Sequence, residues 1–361
     1  MNIRIKDICR FGKKSDIKAG EGNTKGKYMF FTSSIDKDKR IDKFDYDEEG
    51  IIMGTGGNAT LHYYSGKFAV STDCLVLLPN SSYKCKYLYY FFLHNMRVLE
   101  GGFRGAGLKH TSKSYIENIE LTKTHSLLEQ DKIISVLSNI DNTIVLQNKR
   151  LKLLNELTRS LFIEMFGDPV ENPFMFEKQR LSKIGELERG VSKHRPRNAP
   201  ELLGGNYPLI QTGEISNSDL YINKFENTYS ELGLSQSKLW KKGTLCITIA
   251  ANIAKTGILT FDSCFPDSVV GFVPNKLTNN IFIHYWFSFF QKILEEEAPE
   301  SAQKNINLKV LSNLDVIVPP IELQNKFAAV VAQIDKSKLA VKKSLEELEI
   351  LKKSLMQKYF A

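Results

Sequence analysis

The sequence predicts an α+β chain built twice over: two globular blocks, each followed by a long helix, with the two helices packing on each other. Three observations carry this. The series Gln130-Asp131-Lys132-Ile133, Ile140-Asp141, Leu151, Leu154, Leu157, Ser160-Leu161 and Phe166 returns 194 positions later, without a gap, as Gln324-Asn325-Lys326-Phe327, Ile334-Asp335, Leu345, Leu348, Leu351, Ser354-Leu355 and Phe360. Both stretches lack proline and glycine and carry one narrow apolar stripe, as a long helix requires. The blocks before them mix strand-like and helix-like runs irregularly, with no βαβ rhythm.

The first block spans residues 1–126. It opens on a short apolar-periodic element running into a glycine, Ile5, Ile8 and Phe11-Gly12. Strand-like residues 28–32 follow, then Gly50-Ile51-Ile52-Met53 as a buried strand, Asn58 beyond it, and an aromatic helix-like run at 87–93. The first long helix occupies 127–168. Its seam is Ile133, Leu137, Ile140, Ile144, Leu151, Leu154, Leu161 and Met165, in steps of three and four broken by Gln147 and Thr158. Gly167-Asp168-Pro169 ends it.

The second block, 169–320, repeats the plan. Leu181, Ile184, Leu187 and Gly190 form the opening element, 207–212 the first strand, Gly243-Thr244-Leu245-Cys246-Ile247 the buried strand, and 282–290 the aromatic run. Asn252 follows Asn58 at the same 194-residue offset. Pro319-Pro320 keeps the chain extended into the second long helix, 321–361, whose seam is Phe327, Val331, Ile334, Leu345, Leu348 and Leu355. Each helix, at about 38 residues, is roughly 57 Å long. The blocks have diverged far more than the helices, as though the helices meet one shared requirement and the blocks two different ones. Such internal symmetry matches a target with a two-fold axis of its own, such as duplex DNA.

Composition narrows the partners. The net charge of +8 and pI near 9.0 favour a polyanion. The charge is uneven: roughly +6 on 1–126, zero on 169–320 and +3 on 321–361. The second block therefore needs local clustering to hold a polyanion. Cys9, Cys74, Cys85, Cys246 and Cys264 are scattered, with no zinc-ligand spacing, and read as buried thiols in a reducing compartment. Residues 87–93 and 281–290 are too short to cross a bilayer, and a cytoplasmic protein without membrane partners is expected.

The order of motifs resembles the specificity subunit of Type I restriction–modification systems along essentially the whole chain. The residues that carry this are Leu128-Glu129-Gln130-Asp131-Lys132-Ile133, Phe166-Gly167-Asp168-Pro169, Tyr207-Pro208-Leu209-Ile210-Gln211-Thr212-Gly213-Glu214-Ile215, Gln303-Lys304-Asn305-Ile306 and Val318-Pro319-Pro320-Ile321-Glu322-Leu323-Gln324. The resemblance implies two target-recognition domains, each reading half of a split, asymmetric site on double-stranded DNA. It implies an antiparallel coiled coil that sets the spacing and docks two methyltransferase subunits, with restriction subunits completing the complex. Catalysis would then belong to the partners, along with S-adenosylmethionine, ATP and magnesium. This chain would hold no cofactor or metal and would not be an enzyme. The first block departs from the pattern: Gly105-Ala106-Gly107-Leu108-Lys109-His110 stands where the second has Ser301-Ala302-Gln303-Lys304-Asn305-Ile306.

Candidate DNA contacts are basic or amide side chains beside glycines or in polar loops: Lys13, Lys14, Asn58, Arg104 and Lys109 in the first block, and Lys193, His194, Arg195, Arg197, Asn252, Lys255, Lys304 and Asn305 in the second. Arginine and lysine pair with guanine, and asparagine with adenine, although most such side chains touch phosphate or water. Gly54-Thr55-Gly56-Gly57-Asn58-Ala59 fits a dinucleotide fingerprint, yet a strand and not a helix is expected after it. Asn172-Pro173-Phe174 lacks the second proline of an amino-methyltransferase site. The six histidines are dispersed and none forms a nucleophile motif. Rival readings are a self-sufficient DNA-modifying enzyme, a coiled-coil scaffold that never meets DNA, and an orphan or decoy subunit that competes for methyltransferase.

Overall fold

The structure, a computed structural model, describes residues 3–36, 38–107, 109–197, 199–250, 252–297 and 306–361. The chain divides into two compact units, residues 1–149 with 341–361, and residues 150–340. Both long helices, Leu127–Phe166 and Ile321–Phe360, cross that division, so each unit holds the beginning of one helix and the end of the other.

The helix ends follow from local chemistry. Ser126 and Glu129 form a reciprocal cap: the Ser126 amide and hydroxyl donate to Glu129 Oε2 at 2.8 and 2.7 Å. Gly167, with φ +72°, closes the same helix by donating its N–H to Ile163 O, a left-handed cap that glycine adopts without strain.

Within the first unit the two helical segments run antiparallel. Thr122, just before the first helix, donates to the carbonyl of Phe360 at the end of the second. Further along, Lys352 Nζ reaches Asp141 Oδ1 at 2.6 Å, and Tyr90 donates to the other oxygen of Asp141 at 2.7 Å. The second unit shows the same arrangement. There Phe162 and Phe166, at the end of the first helix, pack edge-on against Phe327 near the start of the second.

The blocks share one sheet plan. Among the described residues, the first has six strands in the order Cys9–Phe11, Cys74–Pro79, Tyr46–Gly54, Thr60–Val70, Tyr28–Phe31 and Arg40–Ile41. The second has five, in the order Gly185–Arg189, Val269–Pro274, Leu245–Thr248, Thr256–Leu259 and Tyr221–Ile222. The first four strands of each correspond and pair antiparallel. Even the register repeats: Met53 faces Leu75 as Ile247 faces Val270. The second block adds a four-stranded sheet, Asn227–Tyr229, Leu203–Leu209, Ser263–Cys264 and Leu239–Trp240, to which the first has no counterpart among the described residues.

The aromatic runs are core. Tyr87, Leu88 and Phe91 of the helix Cys85–His94 pack with Ile133, Leu137 and Phe360, and Phe282, Trp286 and Phe287 of the helix Asn280–Glu297 pack with Phe162, Phe166 and Phe327. Ile133, Leu137, Ile140, Phe327, Val331 and Ile334 are buried, whereas Leu151, Leu154, Leu161, Leu345, Leu348 and Leu355 are half-buried. Toward each helix end the buried face moves by one residue, to Phe162 and Phe166 and, 194 positions on, to Met356 and Phe360. A straight helix drifts about 20° per heptad against a 3.5-residue stripe, so four heptads shift the inward residue by nearly one position. Thr158, which breaks the seam, is buried and donates to Leu154 O at 2.9 Å.

Gln130 and its copy Gln324 explain the strongest part of the repeat. Both are fully buried. Gln130 Oε1 accepts from the Lys84 amide, and its Nε2 donates to Ser82 O and His125 O. Gln324 Oε1 accepts from Thr278 Oγ1 and the Asn279 amide, and its Nε2 donates to Leu277 O and Pro319 O. Each glutamine clamps the start of its long helix to the chain entering the aromatic helix of its block.

Candidate nucleic-acid interface

In each block one end of the sheet gathers the polar loops, and the glutamine clamp sits beyond the other. The strand Cys74–Pro79 runs from the Gly54 turn at one end toward Ser82 and Lys84 at the other, a rise of roughly 17 Å. Val269–Pro274 runs in the same way from the Thr248 turn toward Leu277 and Gln324.

At that end of the first block, Gly54-Thr55-Gly56-Gly57-Asn58-Ala59 is the turn of a hairpin in which Gly54 pairs with Thr60. No helix follows it to receive a pyrophosphate, so the dinucleotide reading falls. The turn is held from below, where the Asp73 carbonyl accepts from the Thr55 amide, from Thr55 Oγ1 and from Ser33 Oγ. It is held from the side by the Gly57 amide donating to Lys109 O, and by the His110 bridges to Gly56 and Arg104. Asn58, Arg104, Lys109 and His110 are thereby exposed together. The strand Cys9–Phe11 delivers Lys13 and Lys14 to the same end, both exposed and without an ion pair among the described residues. Tyr46 Oη donates to the Lys13 carbonyl at 2.7 Å, and the Tyr46 ring fills the space a side chain on Gly12 would need.

The second block repeats the anchorage with other side chains. The Ile249 amide donates to Ser268 O as that of Thr55 does to Asp73 O, and the Ile306 amide to Ile249 O as that of Thr111 does to Thr55 O. These bonds align Ile306 with Thr111, so the correspondence of the two segments lies one residue from the alignment made on sequence. On this register Lys304 and Asn305, which lie outside the described residues, match Lys109 and His110 in sequence. Asn252 is exposed in the turn with φ +49°, and Thr248 Oγ1 donates to its carbonyl at 2.5 Å and accepts from the Lys255 amide. Lys255 itself is half-buried.

The loop after Gly185–Arg189 carries Lys193, His194, Arg195 and Arg197. Gln236 Oε1 accepts from the amides of Lys193 and His194, and His194 Nε2 lies 3.9 Å from Glu201. Arg195 and Arg197 both reach the carboxylate of Asp267. The candidate cations thus differ between blocks: those of the first stand open, whereas these arginines are paired. By unit the net charge is roughly +7 for the first and +1 for the second. Sequence reasoning passed over His110 as one of six dispersed histidines, and nothing local marks Gln236 or Asp267 as partners of a loop 40 to 70 residues away. Asn172, weighed as part of a methyltransferase motif, bonds through its side chain to both the amide and the carbonyl of Phe176.

Residues 1–156 and 175–350 each match the family described as the Type I restriction modification DNA specificity domain. The chain belongs to this family. It is similar to the type I restriction enzyme MjaVIII specificity subunit of Methanocaldococcus jannaschii, with 23% identity over 98% of this chain and 90% of that one. The crystal structure of a Type I restriction–modification S subunit from M. genitalium superposes over 100% of this chain and 96% of its own with a TM-score of 0.74 at 17% identity. A chain from a study of complex assembly and conformational transition of the type I R-M system covers 100% and 97%, with a TM-score of 0.58 at 15% identity. The chain is accordingly a DNA specificity subunit, a non-catalytic component that binds DNA within a restriction–modification complex. The two family matches cover both blocks, and neither the decoy nor the scaffold reading is favoured. Among the described residues no helix is long and apolar enough to cross a membrane.

Proposed function

We propose that the sheet end of each unit reads one half of a split DNA site, and that the helical pair fixes the unread spacer and docks two methyltransferase subunits. The observation that carries this is the repeated anchorage, Thr55 to Asp73 and Thr111 to Thr55, then Ile249 to Ser268 and Ile306 to Ile249. Two equivalent backbone platforms present different side chains, which is what reading two unlike half-sites requires. Lys13, Lys14, Arg104 and Lys109 neutralise phosphates, while Asn58 and Asn252 are placed at the turns to meet base edges.

The helices supply the docking surface. Val136 and Val330, Val145 and Leu339, and Leu157 and Leu351 are exposed apolar pairs, each 194 positions apart and off the buried seam. Val145 and Leu339 are both 65% exposed. Duplicated apolar surface at matched positions suits two copies of one partner. The partners carry out the chemistry: S-adenosylmethionine serves methylation of an adenine flipped into their pocket, and ATP and magnesium serve the restriction subunits. This chain places the pocket.

Genome-wide adenine-methylation mapping, with the methyltransferase present and the chain present or deleted, tests the proposal. A split motif that vanishes on deletion is expected. An active, bound methyltransferase with no chain-dependent motif would overturn it.

A further inference from the structure

We infer that Asp267 is a specificity-determining positioning residue, whose carboxylate holds Arg195 and Arg197 as a preformed guanine-reading pair in the second unit. The inference rests on the reading of the sheet end as the DNA-facing surface. An exposed ion pair alone contributes little. Here three arginines converge on one aspartate. Arg195 Nη2 lies 3.3 Å from Oδ2, Arg197 Nη2 contacts Oδ1, and Arg189 donates from Nε and Nη2 to the main-chain carbonyl at 2.9 and 2.6 Å. Arg195 also donates from Nη1 to Ser192 O and His194 O at 2.5 and 2.8 Å.

The loop beneath them is fixed as well. Gln236 holds the amides of Lys193 and His194, and Ser237 Oγ donates to Val191 O. Gly190 passes so close to Phe265 and Pro266 that a Cβ would lie 2.4 Å from both carbonyl oxygens. A guanidinium has five N–H donors, and these contacts leave Nε of both Arg195 and Arg197 without a partner among the described residues. The two side chains remain 54% and 43% exposed. They are therefore ordered before DNA arrives yet keep donors to offer, which reduces the ordering cost of a bidentate contact to guanine O6 and N7.

Their location agrees with this use. Asp267 precedes Ser268, whose carbonyl anchors the turn bearing Asn252, so guanine-type and adenine-type readers share one edge. In the first block Thr72 stands at the position of Asp267, and Lys13-Lys14 replaces the arginines. The device belongs to one half-site only.

Methylation of an oligonucleotide library by the assembled complex tests the inference with Asp267→Asn, Arg195→Ala and Arg197→Ala. Asp267→Asn is expected to relax one or two G·C positions in one half of the motif, with discrimination falling on the order of ten-fold. The other half should stay strict, which a general folding defect would not allow. Arg195→Ala or Arg197→Ala should relax the same positions. If the arginine variants relax a position and Asp267→Asn does not, or if Asp267→Asn only tightens binding to non-cognate DNA, the positioning role is wrong. If all three leave motif and affinity unchanged, the loop does not read DNA and the broader reading fails there too. Should Asp267→Asn not assemble, Asp267→Glu carries the same test, since the added methylene displaces the carboxylate while keeping its charge.

Discussion

Replacing Gln324 by methionine isolates the clamp from everything else the helix does. Methionine has similar length and good helix propensity, so a loss of stability reports the side-chain hydrogen bonds. Four groups lose their partner: Thr278 Oγ1, the Asn279 amide, Leu277 O and Pro319 O. Thr278 and Pro319 are buried, while Leu277 and Asn279 are half-buried and can recover water. At about 1–3 kcal/mol for each buried unsatisfied group, the cost is about 2–6 kcal/mol. For a unit of this size that lowers the midpoint of unfolding by about 5–20 °C. Gln130→Met is the internal control. Its partners are at Ser82 and Lys84, both exposed, and at half-buried His125, so its cost should be about 1–2 kcal/mol. Calorimetry of the two variants, with hydrogen exchange to locate the loosened helix start, separates them. A Gln130 variant as damaged as the Gln324 variant, or two variants of wild-type stability, would refute the argument from burial.

Three further outcomes are expected. Lys13→Ala and Lys109→Ala should weaken DNA binding uniformly across sequences and each lower the salt slope by about one, read by anisotropy titrations at several salt concentrations. Val145→Asp with Leu339→Asp should leave circular dichroism and melting unchanged yet abolish co-purification with methyltransferase; retained assembly would move the docking surface elsewhere. His284 is buried, accepts or donates at Nδ1 with Thr256 Oγ1 at 2.9 Å, and is held down to about 4, by burial first and Lys338 second, with Asp219 opposing. Its folded value lies below the unfolded one of about 6.5, so the unfolded chain takes the proton first. Stability should therefore fall as pH drops from about 6.5 to 4, by about 3 kcal/mol in all, and His284→Asn should flatten that part of the denaturation profile.

The helices were legible because a stripe repeated over forty residues has few structural solutions, and duplication displayed it twice. What the stripe concealed was its own drift. Leu161 and Leu355 fit the heptad, but Phe162 and Met356 are the buried residues, since the helix keeps 3.6 residues per turn and faces an aromatic helix there. Gln130 and Gln324 stood in the repeat with no assigned role, because all but one of each one's partners lie more than 40 residues away in the chain. The sheet end was legible only as loops rich in glycine, lysine and asparagine. Which loops share an edge depends on strand order, and that order puts Cys9–Phe11 beside Cys74–Pro79, more than 60 residues later. The four-stranded insertion of the second block left no periodic signal, its strands being two to seven residues long.

The asymmetry between the units bears on how a split site is engaged. The first unit concentrates the charge, and its candidate cations are open, so on the proposed function it would hold any duplex through phosphates. The second has little net charge, and its arginines are held by Asp267; on the inference above they would offer only their remaining donors to a base edge. Attraction without discrimination on one side and discrimination with little attraction on the other would let the subunit stay on DNA while testing sequence. Two equally basic readers would trap it on non-cognate sites, where affinity without specificity only competes with the target. On this argument, transferring Asp267 and its arginine loop to the first unit should not merely change the motif. It should also slow capture of DNA at physiological salt, and stopped-flow association rates would show whether the division of labour is real.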